Sequence, residues 1–335
     1  ANRIKDLPVR AKELGMNSIA LTDHGVMFGA IDFYKACKAN GVKPIIGCEV
    51  YVAPRGRKDK EPKIDEKYNH LILLAKNNDG YKNLAKLVSL GFTEGFYYKP
   101  RIDKEILEKY HDGLICLSAC LAGEVSQAIL NNNIEEAKKV ALWFKNLFGE
   151  DYYLEVQNNG IKEQVLVNQK LVELSRELEI PLVATNDAHY LKREDAYNHE
   201  VLLCIQTGKR MNDEDRMRFD TEELYVKSPE EMIDYFKNIP DAVENTVKIA
   251  EKCNVEFEFG HTILPNYDVP EQYATHYDYL EKLTVDGLTK RYGEEITNEI
   301  KERAEYELSI IRKMGYVDYL SLIHISEPTR QEAIS

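Results

Sequence analysis

An α/β barrel with its functional face at the C-terminal ends of the strands is the fold this sequence predicts, and three observations carry that expectation. Helix-like segments alternate with short apolar runs. The runs finish in side chains able to bind metal. The 335 residues suffice for one barrel of roughly 250 residues with more chain beyond it.

Taken in order, the helical segment ending near Gly15 leads into Ser18-Ile19-Ala20-Leu21 and then Thr22-Asp23-His24. Residues 34–41 lead into Pro44-Ile45-Ile46 and on to Glu49, and residues 171–178 lead through Pro181-Leu182-Val183-Ala184 to Asp187 and His189. Gly15 and Gly41 stand where a helix C-cap wants a left-handed residue, which supports a helix followed by a strand. Two more apolar runs bring an imidazole and a thiol: 71–75 is preceded by His70, and Leu114-Ile115-Cys116-Leu117 is followed by Cys120. This alternation predicts a parallel sheet.

On a strand, Asp187 and His189 at i and i+2 point the same way, and imidazole with carboxylate suits zinc, manganese or iron. An isolated Asp-x-His is more often a polar strand end; its recurrence along the chain makes a site. The candidate set from the residues alone is His24, Glu49, His70, Cys120, Asp187 and His189. Asp23 falls on the opposite strand face from His24 and is expected to orient a neighbour or cap a loop.

Composition narrows the class. A hydrophobic fraction of 44% suits a soluble globular chain. No apolar run approaches the ~20 residues of a membrane span, and no signal peptide is evident, although the chain does not begin with Met. Cys37, Cys48, Cys116, Cys120, Cys204 and Cys253 form no Cys-x-x-Cys pair, so a cytoplasmic protein with reduced thiols is expected. The net charge of -13 argues against a surface-wide affinity for nucleic acid, so any DNA contact is expected to be local or supplied from outside this sequence.

The motifs resemble one family closely. Thr22-Asp23-His24-Gly25, Gly47-Cys48-Glu49-Val50, Gly95-Phe96-Tyr97-Tyr98-Lys99-Pro100-Arg101, Leu117-Ser118-Ala119-Cys120 and Asn186-Asp187-Ala188-His189-Tyr190 resemble the polymerase and histidinol phosphatase (PHP) domain, in the version found in bacterial DNA polymerase III alpha subunits. Val201-Leu202-Leu203-Cys204-Ile205-Gln206-Thr207-Gly208 and Tyr306-Glu307-Leu308-Ser309-Ile310-Ile311 continue the match. The resemblance implies a distorted (βα)7 PHP barrel binding a cluster of divalent metal ions, with His24, Glu49, His70, Cys120, Asp187 and His189 at the ligand positions. Of these, Asp187, His189, His24 and Glu49 are expected to carry catalysis. It implies a 3′ to 5′ exonuclease in some members and a structural domain in others.

The family opens with a His-x-His strand, and this chain starts after it, so a barrel lacking its first strand and a fragment with little or no hydrolytic activity are expected. Lys99 and Arg101, with Tyr97 and Tyr98, are candidates for gripping DNA by phosphate contact and stacking. The looser basic group Arg193, Lys209, Arg210, Arg216 and Arg218 is offset by Asp213, Glu214 and Asp215 and reads as solvated surface.

By resemblance, residues 1–270 are the PHP domain with a helical trailer and 271–319 the start of the polymerase palm, with magnesium belonging to a polymerase site further on. Residues 134–148 read as an amphipathic helix with Trp143 in the core. Residues 229–236 and 241–253 read as two short helices joined at Pro240, and 279–292 and 294–314 as helices after a break at Pro265, Asn266 and Pro270. Residues 320–335 resemble a translated transposase sequencing adapter and are expected to be non-native. The implied partners are a DNA primer-template and other replisome subunits: sliding clamp, clamp loader and, for a noncatalytic scaffold, a separate proofreading exonuclease. A stand-alone phosphatase of the histidinol phosphatase type is the further alternative.

Overall fold

Eight strands make one curled sheet: β1 (Ser18–Leu21), β2 (Lys43–Val52), β3 (Asn69–Ala75), β4 (Phe96–Tyr97), β5 (Lys99–Ile102), β6 (Leu114–Leu117), β7 (Tyr152–Gln157) and β8 (Leu182–Thr185). Between and after them lie α1 (Asp6–Glu13), α2 (Ala30–Asn40), α3 (Asn78–Thr93), α4 (Lys104–Lys109), α5 (Glu124–Leu130), α6 (Ile134–Phe148), α7 (Lys162–Leu178), α8 (Ala196–Thr207), α9 (Pro229–Tyr235) and α10 (Pro240–Lys252). The computed structural model describes residues 2–260 and 269–320. Pro265 and Asn266 of the expected break, and the tail from residue 321, lie outside the described residues.

The sheet runs β4-β5-β2-β3-β6-β7-β8, with β1 beside the first half of β2. Neighbours are parallel at β1·β2, β2·β5, β6·β7 and β7·β8. The expected parallel sheet is corrected at β3, which runs antiparallel to both β2 and β6, and at the β4·β5 pair, which is also antiparallel. The reversal explains why His70 precedes its apolar run: on a reversed strand, the N-terminal end reaches the face where the other strands finish. Among the described residues, β1 pairs only with β2 and β8 only with β7, so the sheet does not close between them. Asn2 Nδ2 donates to Ala188 O at 2.9 Å beside the loop that follows β8.

Both faces of the sheet are covered, which is why its strands read as near-continuous apolar runs. Cys48, Val50, Val52, Leu71, Leu73, Cys116, Tyr152 and Leu154 face the outer helices. Trp143 on α6 packs against that core half-buried, as expected of it. Ile45, Ile72, Leu74, Ile115, Leu117, Tyr153 and Val183 face inward. There they meet Ile249, Ala250 and Cys253, so α10 and the residue after it help fill the concave side of the sheet. Lys76 and Lys252 both bond Asp151 near this end, at 2.6 and 2.8 Å. The opposite end is left to polar side chains.

The chain divides into two units, Ala1–Glu256 and Phe257–Ser335. The second contains α11 (His276–Tyr292) and α12 (Asn298–Met314), each opened by a threonine whose hydroxyl accepts from the N–H three residues on. Gly315, at φ 74°, closes α12 in the left-handed region. No helix among the described residues is long and apolar enough to cross a membrane.

Candidate metal centre

The segment after β1, the interior of β2 and the start of β3 bring His24, Glu49 and His70 together, with one ligand atom from each lying within 4.8 Å of the others. Glu49 is central and buried. One of its oxygens stands 3.3 Å from His24 Nε2, and the other contacts His70 Nδ1. The backbone sets this up: His24 bridges Glu49 in parallel register, with Gly25 N–H donating to Glu49 O at 2.8 Å and Glu49 N–H to Asp23 O at 3.0 Å. Gly25, at φ 68°, lets the chain turn directly after His24, and a Cβ there would sit 2.9 Å from the Tyr51 ring.

Cys120 arrives by a different route, on a loop that leaves β6 through Ala119 at φ 64° and closes where a Cβ on Gly123 would lie 2.1 Å from Ser118 O. Its sulfur is 3.8 Å from His70 Nδ1 and 4.0 Å from a Glu49 oxygen. Burial pushes this thiol well up, and the carboxylates of Glu49 and Asp187 push it further, so the free side chain is a neutral thiol.

Asp187 and His189 meet, but not by strand alternation. β8 ends at Thr185, and Asp187 sits at φ 49°, so a left-handed turn rather than the pleat brings His189 Nε2 to 3.3 Å from Asp187 Oδ1. Burial acts to raise Asp187, yet the His189 bond and the imidazoles of His24 and His70 prevail and hold it below the ordinary aspartate value. His189 lies 6.4 Å from His24, ring centre to ring centre, which links the two halves of the site. Asp23 contributes its backbone carbonyl to Glu49, while burial, opposed by His24, raises its carboxyl.

The donor set suits a divalent cation of borderline softness: three imidazoles, two carboxylates and a thiol converge from five chain segments. Tyr51 walls the site, its ring 5.4 Å from His70 and 6.1 Å from His24, with Tyr68 packed on it at 4.8 Å. Lys99 Nζ lies 5.6 Å from the centre of the Tyr51 ring, placing a cation beside the cluster. Tyr98 is exposed and Tyr97 half-buried.

Arg101 is elsewhere. It is wholly buried, and its guanidinium donates to the carbonyls of Gly95, Asp65, Arg57 and Asp59, so the expected contact of Arg101 with DNA is corrected: the side chain holds loops together and does not reach the surface. In the looser basic group, Lys209, Arg216, Arg218 and Arg193 pair with Asp215, Glu200, Asp220 and Glu223.

Sequence reasoning passed over two neighbours. Glu155 is a buried carboxylate on the inner face of β7, and the signal for it was an acid inside the apolar run Tyr152-Tyr153-Leu154-Glu155-Val156. His199 packs its ring 5.4 Å from His189, and burial pushes it down to about 4, so it supports His189 as a neutral ring.

Residues 1–159 match the family described as PHP domain, and residues 278–326 the family described as bacterial DNA polymerase III alpha NTPase domain. The chain is 51% identical over 325 residues to the DNA polymerase III subunit alpha of Borreliella burgdorferi and 46% identical over 325 residues to that of Treponema pallidum, covering 96% of this chain and 28% of the relative in both cases. With the corresponding subunit of Campylobacter jejuni it shares 42% identity over 354 residues, covering 97% of this chain and 29% of the relative. The chain therefore spans less than a third of the length of these curated relatives.

Proposed function

From the match of residues 1–159 to the PHP domain family, we propose that the centre is a metal-dependent phosphoesterase site acting on a phosphodiester at a DNA 3′ end, within a replicative DNA polymerase III alpha subunit. The observation that carries this reading is the imidazole–carboxylate–imidazole convergence of His24, Glu49 and His70, with the Asp187–His189 pair beside it. Zinc, manganese or iron suits these donors. Bound there, such ions supply a water of lowered pKa and positive charge for the attacked phosphate and the leaving oxygen.

The chain's own residues do the rest. Glu49 and Asp187 supply the negative charge that holds cations in place, and His24, His70 and His189 orient around them. Lys99 attracts the phosphate, and the exposed ring of Tyr98 offers a stacking face to a base. Nucleotidyl transfer with magnesium, and contacts with primer-template DNA, belong in this reading to a polypeptide of the relatives' full length. A stand-alone phosphatase is disfavoured because the similarity to polymerase subunits continues over 96% of the chain.

The test is release of mononucleotides from a 3′-labelled single strand, measured with manganese and with a chelator, on this chain and on a protein of the relatives' length. Metal-dependent release by the longer protein that is lost in Asp187→Ala supports the proposal. Metal-independent release, or release that Asp187→Ala leaves intact, refutes it.

A further inference from the structure

One carboxylate oxygen near the centre has no hydrogen-bond partner among the described residues. Glu155 is about 5% exposed, and its Oε1 accepts from Thr185 Oγ1 and, at 3.0 Å, from Gln157 Nε2. Its Oε2 is buried and, among the described residues, accepts no hydrogen bond. Burying a carboxylate with one oxygen unpaired costs stability unless a proton or a cation satisfies it.

The placement favours a cation. The registers Ile72↔Leu117 and Leu117↔Tyr153 align Ile72 with Tyr153 across three strands. One pleat step nearer the site face brings His70 on the reversed β3 and Glu155 on β7 into the same row, both on the inner side. Glu155 also lines a small cavity together with Cys120, Ser126, Gln157 and Asn168. Its Oε1 is tied to Thr185, two residues before Asp187. Glu155 is thus braced on one oxygen and open on the other, in the way a supported ligand is built. Among the described residues, the hydrogen-bond partners of its carboxylate, Thr185 and Gln157, are both neutral.

We propose that Glu155 is a seventh cation-binding side chain of the centre, its free Oε2 being offered to a divalent metal ion from the β7 side, beside Cys120. The assignment rests on the reading of the centre as a metal site, and it adds an oxygen donor on the flank where that reading supplies only the thiol. It also gives the Thr185 hydroxyl a role in fixing the carboxylate that faces the ion.

The experiment is calorimetric titration of the metal-free 335-residue chain with Mn2+ alone, comparing wild type, Glu155→Gln and Asp187→Ala, with metal-free melting temperatures recorded alongside. Glu155→Gln is expected to weaken or delete Mn2+ binding by about 10- to 100-fold while the metal-free protein melts no lower than wild type. Wild-type affinity and stoichiometry in Glu155→Gln, with loss in Asp187→Ala, overturns the role of Glu155 and leaves the centre standing. No Mn2+ binding by wild type overturns both. Should Glu155→Gln fail to fold, Glu155→Asp decides by the same readout: it draws the oxygen back by one methylene, and a tenfold or greater loss supports the proposal whereas wild-type affinity ends it.

Discussion

Two buried polar clusters sit in the same sheet, and they differ in what they leave unsatisfied. Around β5, Arg101 engages four of its N–H groups with backbone carbonyls, and Arg57 bonds Glu94, Asp103 and Glu105. Cation faces anion or carbonyl throughout, so that cluster is complete as a protein structure. At the open end of the sheet, Glu49, Asp187 and Glu155 face imidazoles, a thiol and neutral hydrogen-bond donors, with one buried oxygen left over. A satisfied buried network fixes shape, whereas one rich in acceptors and short of cations is built to receive one.

Breaking the complete cluster should give the largest effect. Arg101→Met leaves four carbonyls and the neighbouring acids without their donor, and a loss of about 3–5 kcal/mol in urea unfolding is expected. Arg101→Lys should recover only part of it, since one ammonium cannot replace a planar fork. Near-wild-type stability in Arg101→Met would show that the cluster is not what holds these loops.

The opposite sign is expected at the centre. Glu49→Gln should weaken Mn2+ binding by about 100-fold or more, yet leave metal-free stability unchanged or raised, because it removes a buried carboxylate lacking a full counter-charge. Calorimetry paired with thermal melts checks both halves. A variant that binds Mn2+ normally and unfolds more easily contradicts the contrast between the clusters.

Acidity sharpens it further. Burial pushes Glu155 from 4.5 up to about 7, against its bonds to Thr185 and Gln157 and with help from Glu49 and Asp187. Between those two values the folded chain keeps a proton that the unfolded chain has lost. Metal-free stability should therefore fall as pH rises from about 4.5 to 7, by at most about 3 kcal/mol. Denaturant titrations across that range should show the fall in wild type and its loss in Glu155→Gln.

Ligand-type residues at the ends of apolar runs brought His24, Glu49, His70, Cys120, Asp187 and His189 into view, and the structure gathers them at one end of the sheet. The pattern could not show the direction of β3, because an apolar run reads the same either way; only the position of His70 before it hinted at reversal. Nor could it show that Asp187 turns left-handed, since aspartate tolerates both strand and left-handed backbone. Arg101 was misplaced because a basic residue among aromatics looks alike whether it faces solvent or carbonyls. Glu155 escaped notice because an acid within an apolar strand becomes informative only once its depth and missing partner are known.

The smallest effect is expected at the rim. Lys99→Ala removes one ammonium beside Tyr51 and should weaken binding of a short single strand only a few-fold, lowering the salt dependence by about one phosphate contact. Fluorescence anisotropy at several salt concentrations reads this, and an unchanged slope would remove Lys99 from the DNA-facing surface.

Whether the cluster is a metal centre is decided by the metal content of the purified chain after equilibration with Mn2+ and gel filtration, for wild type and the double variant His24→Ala, Asp187→Ala. Bound manganese is expected in wild type, with nearly all of it lost in the folded double variant. Equal metal in the two proteins, or none in wild type, would contradict it.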